Sequence, residues 1–193
     1  MTTKNKKHIS VMIGLWPAEH PRTVRRCQVI AEQIKFIYEY EREIGDRINR
    51  ERDEIKRMLD AFTRDLHDTR SIEVATYSEF HHKHTAAALR VISEASTKHR
   101  YAIRGLRHEH AVPRGMILDM MLNDPDCRCG SAGAVSRILS KYLHVIVVTK
   151  REDRKLSSKG LMSKMPDGWN GEDLFARYDV AKIKYREPLA RDK

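Results

Sequence analysis

The sequence predicts an α+β fold that is predominantly α-helical, with a long N-terminal helical hairpin followed by a small ββα-type α/β region. Apolar residues recur at helical spacing through much of the first hundred residues, whereas the clearest block of β-branched residues comes later, at 144–149. Such segregation of helices and strands along the chain is typical of α+β proteins. We place a boundary near residue 100, with a helical hairpin arm at 1–100 and a small α+β domain at 101–193.

In the N-terminal half, the apolar run at 8–16 predicts a strand or a buried arm. Residues 24–67 predict one long, nearly continuous helix, because this stretch contains no proline and its apolar residues recur every three or four positions. A second helix, predicted at 71–98, would complete an antiparallel hairpin with the first.

The apolar stripe of the first predicted helix is broad. It consists of Ile34, Ile37, Ile44, Ile48, Ile55, Met58, Leu59, Phe62 and Leu66. Its spacing resembles a coiled-coil seam, but charged residues interrupt it. We therefore expect the stripe to pack against another segment of this chain, with a protein partner docked on it as the alternative.

The C-terminal half predicts shorter elements. They are a strand or loop at 101–112, helices at 114–122 and 131–143, a loop at 123–130, a strand at 144–149, a helix from Lys150 and a last helix at about 172–183. Ser131 is a suitable N-cap for its helix, because a serine hydroxyl can accept a hydrogen bond from a free backbone N–H. The strand is the clearest of these elements, since it contains four consecutive β-branched aliphatic residues.

Composition narrows the class of partner. The 193 residues include 37 Lys and Arg against 27 Asp and Glu, a formal net charge of +10 spread along the whole chain. Such a surface favours a polyanionic partner, and we expect nucleic acid. No apolar run approaches the roughly 20 residues that span a bilayer, and the first residues lack the apolar stretch of a secretory signal. We therefore expect a cytoplasmic protein with no membrane partner.

Three cysteines are present, and two of them, Cys127 and Cys129, form a C-x-C pair. An odd number without framework spacing argues against a disulfide-stapled secreted domain. One C-x-C pair is half of the four-ligand set that a structural zinc site needs. Two loop thiols are the favoured interpretation, and zinc binding is the alternative.

Two segments carry the candidate chemistry. Residues 108–114 read HEHAVPR, and residues 144–156 read HVIVVTKREDRKL. A carboxylate or imidazole followed by His, two apolar residues and Pro resembles the opening of the HNH nuclease motif. The downstream strand that enters a helix resembles the second half of the ββα-metal unit of that family. The resemblance covers about residues 106–156, with His144 where the family has Asn and Asp153 where it has a final His.

This resemblance implies a metal-dependent endonuclease that hydrolyses phosphodiester bonds. His110 would be the general base, and His144 would orient the base or the phosphate. The candidate metal ligands are Glu109, Asp153 and His108. Carboxylate oxygens with retained waters favour Mg²⁺ or Mn²⁺. On an extended segment, however, His108 and His110 project to one side and Glu109 to the other.

Cationic side chains next to these positions would hold phosphate oxygens. They are Arg114, Lys150, Arg151 and Arg154. DNA is favoured over RNA as the nucleic acid. Two alternatives stay open: a non-enzymatic nucleic-acid-binding or inhibitor protein of a phage or plasmid, with basic helices and a decayed nuclease core, and a helical module that docks a protein partner.

Overall fold

The structure is a computed structural model that describes residues 12–13, 16–44, 48–63, 83–94 and 105–186. Its helices are α1 (Pro21–Ile44), α2 (Ile48–Thr63), α3 (Ala86–Glu94), α4 (Arg114–Asn123), α5 (Pro125–Arg128), α6 (Ala132–Tyr142), α7 (Lys150–Ser158) and α8 (Ala176–Val180). Its strands are β1 (Met12–Ile13), β2 (Trp16–Pro17), β3 (Lys83–Thr85), β4 (Leu106–His110), β5 (Val145–Thr149) and β6 (Tyr185–Arg186). The predicted fold class, α+β with a predominance of helix, is confirmed.

Helices α1 and α2 form an antiparallel pair. Arg26, near the start of α1, donates from Nη1 to the carbonyl oxygen of Ala61, near the end of α2, at 2.9 Å. The prediction of one long, nearly continuous helix over 24–67 is therefore wrong, because two helices that pack antiparallel are not one helix with a kink at Gly45; residues 45–47 and 64–67 lie outside the described residues. Gly45 is the only glycine in that stretch, and glycine weakens a helix interior. An antiparallel pair also lets the two halves of the apolar stripe cover each other.

The chain itself covers the part of the stripe that the structure describes, which excludes the side chains of Ile44 and Leu66. Ile34 and Ile37 on α1 and Ile55, Leu59 and Phe62 on α2 are all almost inaccessible to solvent. They belong to one apolar core with residues of α4, α5 and α6. A partner protein would therefore need a different surface from the stripe that the sequence indicated.

The main sheet has four strands in the order β4-β5-β3-β6. Strands β4 and β5 are antiparallel, β3 is parallel to β5, and β6 is antiparallel to β3. Strands β1 and β2 pair antiparallel as a separate two-stranded ribbon, within the predicted apolar run and just beyond it. Because β3 precedes residue 100, the sheet includes strands from both sides of the predicted boundary, and the larger core does the same.

Strand β3 corrects the predicted helix at 71–98. Residues 83–85 are extended in the middle of the sheet, and helix occupies 86–94; residues 71–82 and 95–98 lie outside the described residues. Thr85 is fully buried, and its hydroxyl donates to Glu152 at 2.7 Å and accepts from the backbone N–H of Ala88 at 3.1 Å. These contacts satisfy the buried hydroxyl of Thr85, and the one to Glu152 depends on a residue 67 positions away in sequence.

Three helices separate β4 from β5. The predicted helices at 114–122 and 131–143 are confirmed as α4 and α6, and the hydroxyl of Ser131 accepts from the N–H of Ala134 at 3.2 Å as the predicted N-cap. The predicted loop at 123–130 contains the short helix α5. Asp124 caps it by accepting from the N–H of Cys127 at 2.9 Å.

The predicted helix after β5 is confirmed as α7. It begins with a capping box in which Thr149 and Glu152 exchange hydrogen bonds. The predicted last helix at 172–183 is wrong in extent, because α8 covers only Ala176–Val180. Lys182 adopts a left-handed φ of 53°, which ends the helix, and the N–H of Ile183 bonds back to the carbonyl of Tyr178 at 2.8 Å.

A second apolar core lies between the sheet and α7 and α8. Its buried members include Ile146 and Val148 of β5, Leu156 of α7, and Phe175 and Tyr178 near α8. This core fixes α7 against the sheet. In the part of the chain that the structure describes, none of the helices combines the length and the apolar character needed to cross a membrane.

Candidate functional site

Strands β4 and β5 with helix α7 form the ββα arrangement that the sequence predicted. The antiparallel register aligns Leu106 with Thr149 at one end and His110 with Val145 at the other. Helix α7 packs against both strands. The helices α4, α5 and α6 occupy the interval between the two strands.

The pleat of β4 divides the predicted site residues between two faces. Glu109 pairs with Ile146, which lies in the core under α7 and α8, whereas His108 pairs with Val147, which packs with Ala88 of α3. Alternate residues of a strand face opposite sides. His108 and His110 therefore share the α3 face, and Glu109 points towards α7 and α8.

Glu109 is held by a buried arginine. Its Oε1 lies 2.5 Å from Nη2 of Arg177, whose side chain is completely inaccessible to solvent. Burial raises the pKa of the Glu109 carboxyl, while the positive charge of Arg177 acts in the opposite direction.

Arg177 is a hub of backbone contacts as well. Its guanidinium donates to the carbonyl oxygens of Ala111 at 3.0 Å and Leu161 at 2.8 Å, and also to the carbonyl of His110. These bonds tie α8 to the end of β4 and to the segment after α7. They give Glu109 a structural role, because its charge balances a cation that would otherwise be buried alone.

Asp153 lies in the first turn of α7, on the side where Glu109 points. Its negative charge contributes to the raised pKa values of Glu109 and of the buried Tyr178. The two predicted metal ligands Glu109 and Asp153 are thus close enough to interact electrostatically. Arg177 already occupies Oε1 of Glu109, so a cation at this position would use Asp153 and the second oxygen of Glu109.

His110 belongs to a different cluster. Its Nε2 lies 3.7 Å from Oδ1 of Asp60 on α2, and its side chain is 9% exposed. Arg114, the first residue of α4, also pairs with Asp60 through Nη1. This cluster joins α2 to the end of β4 and the start of α4, so Arg114 already has a carboxylate partner where phosphate was predicted.

His144 is exposed and immediately precedes β5. Its carbonyl accepts a hydrogen bond from the N–H of Ala111 at 2.7 Å, which extends the β4–β5 ladder by one step beyond His110 and Val145. The backbone of His144 is thereby placed beside the chain that follows His110.

The predicted phosphate-binding residues of α7 are exposed. Lys150, Arg151, Arg154 and Lys155 all lie on the solvent side of this helix. The two acidic residues of α7 are less exposed. Glu152 is buried in the capping box. Asp153 is partly buried near Glu109. Within the described ranges, none of the four cations forms an ion pair, so we call this surface the cationic face of α7.

The C-x-C pair does not present two thiols together. Cys127 is fully buried and Cys129 is exposed. Burial raises the pKa of the Cys127 thiol to about 12, which disfavours the thiolate that zinc needs. No group of three or more metal-ligating side chains with suitable geometry occurs among the residues that the structure describes.

Asp60 and Arg177 were not anticipated from the sequence. Asp60 sits in a run of alternating charges on α2 that is typical of a solvated helix face, and Arg177 lies in a short stretch, ARYDV, without a recognisable motif. The role of each residue becomes visible only through its tertiary contacts.

No protein-family model matches the chain, and neither a curated protein nor a solved structure is detectably similar to it.

Proposed function

We propose that the protein binds nucleic acid through the cationic face of α7, with contacts made chiefly to phosphates. The observation that carries this proposal is the segregation of charge on α7. The exposed side chains are all cationic: Lys150, Arg151, Arg154 and Lys155. Of the two carboxylates, Glu152 is buried and Asp153 is partly buried. Phosphate contacts of this kind release counterions and supply affinity without sequence readout.

Duplex DNA is the partner we propose. An α-helix fits the major groove of B-DNA, whereas the major groove of A-form RNA is too narrow for it. The capping box and the core beneath Leu156 hold α7 in a fixed orientation, so its cations need little reorganisation to meet phosphates. The overall charge of +10 adds long-range attraction.

The experiment measures DNA binding by fluorescence anisotropy as a function of salt. Replacing Lys150, Arg151 and Arg154 together by Gln should weaken binding and reduce the slope of log K against log salt by about 3, because each phosphate that is no longer neutralised lowers the slope by close to one. The matched control replaces Arg57, Arg90 and Arg137 by Gln, which removes the same charge from exposed positions on α2, α3 and α6.

The two triple variants separate the outcomes. The proposal holds if the α7 variant loses much more affinity and slope than the control. Equal losses would mean that net charge, and not α7, attracts DNA. Wild-type protein that binds single-stranded RNA more tightly than duplex DNA under the same conditions would contradict the choice of partner.

Metal-dependent phosphodiester hydrolysis is a second candidate. The position of the two carboxylates favours it, because Glu109 points towards α7 and α8 and Asp153 lies in the first turn of α7. A bound Mg²⁺ or Mn²⁺ would neutralise charge on the scissile phosphate. In that proposal, His144 would orient the phosphate, because its position opposite Ala111 puts it on the same face of the sheet as Glu109. His108 and His110 lie on the other face of β4, so this proposal assigns them no role at the metal.

Nicking of supercoiled plasmid with Mg²⁺, Mn²⁺ or EDTA tests this second candidate. Asp153→Asn should abolish metal-dependent nicking and leave DNA affinity within about twofold of the wild type, because affinity comes from the exposed cations of α7. His110→Ala, on the opposite face of β4, is the control and should leave nicking unchanged. Absence of nicking by the wild-type protein in both metals would leave nucleic-acid binding without hydrolysis. That outcome corresponds to a decayed nuclease core.

A further inference from the structure

Arg107 of β4 is an exposed cation beside the start of α7. It pairs with Val148, a member of the core beneath α7 and α8, so its side chain leaves the sheet on the same face as α7. The backbone N–H of Lys150, the first residue of α7, donates to the carbonyl oxygen of Gly105 at 2.6 Å. This hydrogen bond holds the beginning of α7 next to the end of β4 that carries Arg107.

The orientation of α7 brings two of its four cations to the same side as Arg107. Glu152 accepts the hydroxyl of Thr85 in β3 at 2.7 Å, so the side of α7 that carries Glu152 is turned towards β3. Lys150 and Arg154 are each two positions from Glu152, and two positions correspond to about 200° around an α-helix. They therefore lie on the opposite side of α7, towards β4, because the strand order is β4-β5-β3.

The exposed charged side chains of α7 and β4 are all positive. The carboxylate that follows Arg107 on the same face of β4, that of Glu109, is held by the buried Arg177. Asp153 of α7 is partly buried. Arg107 itself forms no ion pair in the part of the chain that the structure describes. An exposed guanidinium in this state can bind two oxygens of one phosphate.

We propose that Arg107 binds a phosphate of the DNA strand that passes α7 on its β4 side, an inference that rests on the DNA binding proposed above. An α-helix with its side chains is about 10–12 Å wide and fills the major groove, which is about 12 Å wide. The phosphates that border the groove therefore come beside the helix, where a cation on the neighbouring strand reaches them. Arg107, Lys150 and Arg154 then contact the same DNA strand.

Fluorescence anisotropy with duplex DNA over a range of salt concentrations tests the proposal. Arg107→Gln should weaken binding to duplexes of different sequence alike and lower the slope of log K against log salt by about one, because one phosphate contact is lost. Arg107→Lys keeps the charge and should keep most of the slope. Adding Arg107→Gln to the triple α7 variant should lower the slope by about one more, because the contact is separate from those of α7.

Arg186→Gln is the matched control. Arg186 is an exposed arginine of the same sheet, and it pairs with His84 of β3. His84 in turn pairs with Val147, which packs on the α3 face, so Arg186 lies on the face away from α7. Its replacement removes the same charge and should leave the slope unchanged.

The outcomes separate this inference from the proposed function. If Arg107→Gln behaves as Arg186→Gln while the triple α7 variant loses affinity and slope, α7 binds DNA without Arg107 and this inference alone is wrong. If the triple α7 variant behaves as its own control, both proposals are wrong. If Arg107→Gln unfolds at a lower urea concentration than the wild type and Arg107→Lys does not restore the slope, Arg107 acts through the fold and is not a phosphate ligand.

Discussion

Arg177 and Glu109 form an ion pair in which the guanidinium side is wholly buried and the carboxylate side is 16% exposed. The same guanidinium binds carbonyls of β4 and of the segment after α7. A residue predicted as a metal ligand is therefore first of all the counter-ion of a structural arginine. This relationship connects any function of Glu109 to the stability of the fold.

Replacing Arg177 by Met should lower the free energy of unfolding by about 3–5 kcal/mol, since the carboxylate of Glu109 would remain buried without its partner. Urea unfolding followed by circular dichroism measures the loss. Arg186→Met, at an exposed position, is the control and should have little effect. Adding Glu109→Gln to Arg177→Met should restore part of the stability, and a further loss in that double variant would contradict the pairing.

Replacing Thr149 by Ala should destabilise the fold by about 1 kcal/mol through loss of the α7 N-cap. Replacing Glu152 by Ala should cost more, about 2 kcal/mol, because Glu152 also accepts the buried hydroxyl of Thr85. Urea midpoints give both values. The slope of log K against log salt for DNA binding should stay as in the wild type, because neither variant removes a cation. A reduced slope would show that the N-cap of α7 also contributes to DNA binding.

Arg114 should behave as a structural residue. Asp60 and Arg114 are partly exposed, at 25% and 38%, so a double-mutant cycle of Asp60→Asn and Arg114→Gln should give a coupling energy of about 0.5–1 kcal/mol. Arg114→Gln should change DNA affinity less than Arg151→Gln does, as measured by anisotropy. If Arg114→Gln weakens DNA binding more than Arg151→Gln does, Arg114 contacts phosphate as the sequence predicted.

The three cysteines should differ in their reaction with Ellman's reagent at pH 8. Burial raises the pKa of Cys27 to about 11 and that of Cys127 to about 12, so almost none of either thiol is ionised at this pH. The thiolate is the reactive form, and its fraction rises as the pH approaches the pKa. One exposed thiol, Cys129, should react promptly and the other two only after unfolding. Cys129→Ser should remove the fast phase, and a fast phase that persists would contradict this assignment.

The elements predicted correctly from the sequence are those determined by local signals. Ser131 caps α6 through its own hydroxyl. The four β-branched residues before Thr149 form β5, because such side chains favour extended backbone. The predictions that failed depend on distant partners. Residues 83–85 become a strand because β5 and β6 flank them, and the helix over 24–67 divides because its two halves bury each other.

The candidate site shows the same division. The alternation of His108, Glu109 and His110 follows from extended backbone alone, and the strand register agrees with it. The partners of those residues, Asp60 and Arg177, lie 50 and 68 positions away from His110 and Glu109 along the chain. Arg177 on the short helix α8 carries no local sign that it will be buried, and Asp60 lies among other charged residues of α2, so no sequence pattern indicated either partner.

The position of β3 between β5 and β6 has a consequence for biosynthesis. His84 is synthesised early, yet its neighbours in the sheet are Val147 on one side and Arg186 on the other. When only the first hundred residues have left the ribosome, neither edge of β3 therefore has its neighbouring strand to pair with. The antiparallel pair α1 and α2 can form while translation continues, but the sheet closes only when residue 186 has emerged from the exit tunnel. Slow steps late in translation would thus prolong the time during which both edges of β3 are unpaired. The nascent chain depends most on chaperones during that time.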